Sequence, residues 1–132
     1  MKLLIIISLT LTSLYLYSGC DDTISGSDID NRIIPDSNVS YSKDIAPIFL
    51  VKCNSCHNSS NSEGGVDLSN YSGVINPAIL VPYASDTSLL VWTVERRPGF
   101  AAMPPLESSI GPFTARQING LKTWIDEGAK NN

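Results

Sequence analysis

The most constraining stretch of the chain is Cys53-Asn54-Ser55-Cys56-His57, because it gathers most of the metal-binding side chains the sequence owns. The 132 residues hold three cysteines, one histidine and two methionines, and one of those methionines is the initiator. Any chemistry built on this motif must draw on Cys53, Cys56, His57, Met103 and Cys20, with little else available.

A structural zinc site wants four ligands, usually Cys and His at paired spacings. Cys53, Cys56 and His57 supply three, and adjacent Cys56 and His57 are awkward partners in one tetrahedron. A thiol–disulfide oxidoreductase places C-x-x-C at a helix start within a βαβ pattern, whereas here the motif follows a helical segment. Covalent haem attachment accounts for every part. Cysteines at i and i+3 project from one helical turn and can each reach a vinyl group, and the next residue presents an imidazole to the iron. A sixth ligand follows by elimination: no second histidine exists, and Met103 lies in Ala-Ala-Met-Pro-Pro-Leu-Glu, where two prolines stiffen the backbone. The plainer alternative is a methionine filling a gap in the core.

The first twenty residues agree with a site assembled outside the cytoplasm. Residues 1–19 carry Lys2, then an apolar run from Leu3 to Tyr17, then Ser18-Gly19 before Cys20. That run is short for a membrane span and suits a signal peptide. The Tyr-Ser-Gly-Cys ending resembles the lipobox of bacterial lipoproteins, with Tyr17 where leucine is usual, and implies lipidation of Cys20. Removing residues 1–19 leaves eight basic against thirteen acidic residues, a net charge of −5. No basic stripe is present for nucleic acid. Residues 20–39, rich in Asp, Ser and Asn, read as the lipidated cysteine and a flexible tether of roughly 24 Å r.m.s. span. Residues 40–132 read as one small domain.

Within that domain, Asp44 is the expected cap of a helix running into the motif, with Ile45, Ile48 and Phe49 as its apolar stripe and Lys52 on the same spacing. Gly64-Gly65 reads as a turn allowing close backbone approach. A second short helix, capped by Ser85 or Asp86, is expected to bury Leu89, Leu90 and Trp92. The last helix starts in a capping box, Thr114 to Gln117, buries Ile118, Leu121, Trp124 and Ile125, and stops at Gly128.

In this order, Tyr-Ser-Lys-Asp-Ile-Ala-Pro-Ile-Phe, C-x-x-C-H, Gly-Gly-Val-Asp-Leu, Met-Pro-Pro-Leu and Trp-Ile-Asp-Glu-Gly-Ala resemble planctomycete-type cytochrome c domains over about residues 41–130. The resemblance implies an all-α, class I-like fold of three to four helices with long loops around one covalent haem c. It implies Cys53 and Cys56 as anchors, His57 as proximal ligand and Met103 as distal ligand. The expected role is electron transfer between redox protein partners at the bacterial cell envelope, with the membrane reached through the lipid. The rivals are a haem enzyme or gas sensor with an open sixth position, and a zinc-stabilised surface module. Arg96 and Arg97 are expected at the surface, with a propionate contact as the alternative. Trp92 and Trp124 read as core packing, and Leu68 and Tyr71 as possible lining of the haem.

Overall fold

The computed structural model describes residues 24–132; the signal segment and Cys20 lie outside the described residues. The described chain is helical, with five α-helices and no strand among the described residues. We number them α1 (Gly26–Asn31), α2 (Ala46–Lys52), α3 (Tyr71–Val74), α4 (Leu89–Val94) and α5 (Ala115–Asp126). The expected all-α class therefore holds, with α1 and α3 added to the helices read from the sequence. No helix among the described residues is long and apolar enough to cross a membrane.

The helix leading to the motif starts earlier than expected. A π-helical turn, Tyr41–Ile45, precedes α2, and its cap is Ser40, whose hydroxyl accepts from Lys43 N–H. Asp44 instead accepts from the Ser40 N–H at 2.9 Å. The reason is Pro47: it has no N–H to return to Lys43, and the wider turn absorbs the missing bond. The stripe itself is as read, with Ile45, Ile48 and Phe49 at 1% exposure or less.

α5 follows its sequence signals. Thr114 and Gln117 form the reciprocal capping box. Leu121, Trp124 and Ile125 are buried, Ile118 is partly buried against the same core, and Gly128 follows at φ 99°. Trp124 packs at 5.5 Å from Tyr41, which meets Tyr71 edge-on at 5.2 Å. α5 thus backs the π-turn from which α2 runs into the motif.

The tether expectation fails for residues 25–39. Ser25 and Asp28 cap α1 reciprocally, and Ile29, Ile34 and Val39 are buried. Ile34 packs where Gly120 leaves room: a Cβ there would stand 2.5 Å from the Ile34 Cγ2. The Gln117 side chain donates to the Ile29 carbonyl at 3.0 Å. Further along, the Glu127 carboxylate accepts from Asn38 and Val39 N–H at 2.6 and 3.0 Å. Three well-placed apolar side chains are enough to dock a segment whose polar composition reads as loose chain.

Candidate functional site

Cys53 caps α2, its N–H donating to the Phe49 carbonyl at 2.9 Å. The chain then continues as an overlapping turn, Cys56 and His57 N–H both donating to the Cys53 carbonyl at 3.1 and 2.9 Å. One short turn therefore carries all three motif side chains. The Cys53 side is buried and Cys56 is half-buried, both as free thiols. Burial pushes the Cys53 thiol up to about 12, against a smaller lowering by the Lys52 charge and a further raising by Cys56. A thiol held protonated in this way is a poor redox nucleophile, which weighs against the oxidoreductase alternative.

The loop after the motif folds back on it. Gly64 and Gly65 take φ of 65° and 75°, left-handed values that glycine adopts cheaply. The turn they make brings Glu63 N–H to the Cys56 carbonyl at 3.1 Å and Leu68 N–H to the His57 carbonyl at 2.9 Å. It also sets the Val66 carbonyl 3.3 Å from His57 Nδ1. A carbonyl can only accept, so Nδ1 is the donor in this contact, and the tautomer it selects leaves a bare lone pair on Nε2. Val66 is a partner that sequence reasoning missed; only the adjacent Gly-Gly turn could have signalled it.

Met103 arrives from a different segment, the loop after α4. Its N–H donates to the Thr93 carbonyl at 3.0 Å, and the next carbonyl, of Pro104, accepts from Arg96 Nη2 at 3.5 Å. Both anchors stand at the C-terminal end of α4, where Arg96 turns the chain with φ 57°.

Cys53, Cys56, His57 and Met103 all line one cavity of about 580 Å³. Its remaining walls are mainly apolar, including Leu68, Ile79, Leu90 and Val94. Leu89 lines it too, so this residue faces the cavity where the core was expected. Trp92 is likewise not in the core: it lies half-buried against Phe100 at 4.7 Å, beneath the Arg97 guanidinium. Tyr71 is not part of the lining; its hydroxyl donates to the Ala129 carbonyl at 2.9 Å, behind the site. Arg97 pairs with Glu95 at 2.6 Å. Arg96 is no solvated surface cation, since its Nε is buried without a partner.

Among the described residues no three His, Cys, Asp or Glu side chains cluster as a metal site. The donor set is instead two thiols, one imidazole and one thioether around an apolar space of cofactor size. These residues fit a haem. Fold and site together describe a small all-α domain whose apolar cavity and donor set suit a haem. Residues 53–107 match the family model described as Planctomycete cytochrome C. That match supports a planctomycete-type cytochrome c domain over these residues, and with it haem binding. The match opens on the first motif cysteine and closes four residues past Met103. No curated protein and no solved structure gives a significant match.

Proposed function

We propose that this chain is a mono-haem c-type cytochrome that carries single electrons and turns over no substrate. The observation that carries the reading is the convergence of Cys53, Cys56, His57 and Met103 on one apolar cavity. Bound there, haem supplies reversible one-electron chemistry at its iron.

The chain's residues supply the rest. Cys53 and Cys56 would hold the haem at the end of α2, each thiol adding its S–H across one vinyl group to leave a thioether. His57 would hold the iron through Nε2, and donation from Nδ1 to the Val66 carbonyl would fix the ring and make it a stronger ligand. Met103 offers a neutral sulfur, which favours the ferrous state and a potential on the high side for haem iron. The apolar walls exclude water. With His57 and Met103 both holding the iron, the site would offer no position for oxygen or substrate, which is why we read a carrier and not an enzyme.

Cys20 lies outside the described residues; its lipidation would moor the domain to an envelope membrane. A mature charge of −5 favours a basic docking surface on donor and acceptor, felt mainly in the association rate at low salt.

The test is to mature the full chain in a host that builds c-type cytochromes. The pyridine haemochrome is expected to give one covalent haem per chain, and the oxidised protein a near-infrared methionine–iron band. Met103→Ala is expected to keep the haem, lose the band, lower the potential and admit carbon monoxide when reduced. Colourless protein with both thiols open to alkylation overturns the whole reading. Wild-type protein that lacks the band and binds carbon monoxide replaces the carrier by a haem enzyme or gas sensor. Cys20→Ser is expected to move the haem from the membrane fraction to the soluble one.

A further inference from the structure

Three charged residues line the cavity: Lys52, Glu63 and Glu107. The two glutamates are exposed to water, whereas the Lys52 side chain is 2% exposed. Its ammonium is held at 2.7 Å from Asp30 Oδ1 and donates to the Gly111 and Pro112 carbonyls at 3.2 and 2.9 Å. Asp30 lies on α1, is 40% exposed, and receives a further hydrogen bond from buried Gln117 at 3.2 Å. The two halves of this pair are therefore unequal. Lys52 lines the cavity and its ammonium is shielded from solvent, while Asp30 is not among the lining residues and is partly screened by water.

We propose that Lys52 and Asp30 are positioning residues that set the electrostatic field of the haem site, with Lys52 raising the reduction potential and Asp30 restraining it. The inference rests on the haem occupying the cavity as read above. A buried positive charge on a residue that lines the site favours the iron state of lower charge, so it stabilises the reduced form. Asp30 opposes that field from a segment that precedes the expected domain. The docking of α1 thereby enters the redox properties of a site to which it contributes no ligand. Lys52 also pins residues 111–112 beside the residue that begins the haem motif, so its neighbours on both sides stay in register.

The experiment uses full-length holo-protein and reads the reduction potential at neutral pH, with the haemochrome yield alongside. Asp30→Asn is expected to raise the potential. Lys52→Gln, which keeps a donor for the two carbonyls and removes the charge, is expected to lower it. The double variant is expected between the singles, and Lys52→Arg near wild type. A purely structural role would move both single variants the same way, by loosening the site and letting water in. Shifts of the same sign, or no shift in either, overturn the proposal. Should Lys52→Gln fail to mature, Asp30→Asn decides alone: a rise supports the proposal, and a fall or no change overturns it. A wild-type chain without covalent haem sinks the cytochrome reading itself, before any variant is compared.

Discussion

Cys53 and Cys56 stand one turn apart in different surroundings, and the difference is measurable before any haem is attached. In the apo-protein, Cys56 is expected to react with iodoacetamide at pH 8 at least tenfold faster than Cys53, because burial keeps the Cys53 thiol neutral up to about 12. Mass spectrometry of partly labelled protein reads the ratio, and urea should abolish it. The same shift predicts how apo stability varies with alkali. Between pH 9 and about 12 the unfolded chain loses the Cys53 proton while the folded chain keeps it. The unfolded state then binds fewer protons, so stability falls as pH rises through that window. A denaturant midpoint that does not fall above pH 9, or Cys53→Ala showing the same fall, would refute the assignment. At this scale the sequence was generous where chemistry is scarce. One histidine and one internal methionine leave few assignments to consider. It was silent about the burial of Lys52, which follows the helical spacing of the apolar stripe but whose counter-ion lies 22 residues upstream.

Among the elements, α5 was legible because its signals are local: a capping box, an apolar face at helical spacing and a terminal glycine. α1 was not. Six residues of Gly, Ser, Asp, Ile and Asn have poor helix propensity, and what holds them is distant: Ile29 in the core, Gln117 and Lys52. The cap of the helix before the motif was misplaced for a related reason, since Pro47 reshapes the turn at a distance from itself. Gln117 joins two elements, accepting from Thr114 N–H at 2.9 Å while donating to α1. Gln117→Ala is expected to cost about 2 kcal/mol in urea denaturation, combining a lost cap with a buried carbonyl left unpaired. A cost near zero would mean α1 is not docked in solution. Gly120→Ala tests the same joint from the other side. Helix propensity alone favours alanine by about 1 kcal/mol, but the Ile34 methyl stands in the way. Net destabilisation of about 1 kcal/mol is expected, relieved when Ile34→Ala is added.

For the whole molecule, the boundary of the folded unit moves from residue 40 to Ser25. A chain cut just before Ser40 loses Ile29, Ile34, Val39 and the Lys52 counter-ion together, and its denaturant midpoint is expected to fall by several tenths of a molar or more. An unchanged midpoint would restore the tether reading. That boundary also shortens the leash. Four residues lie between Cys20 and Ser25, and even drawn straight the five Cα–Cα steps reach at most roughly 18 Å. With a lipid on Cys20, such a cytochrome cannot stand off and forage through the aqueous space. It would skim the headgroups with few orientations open to it, trading electrons by preference with neighbours that share its sheet of lipid.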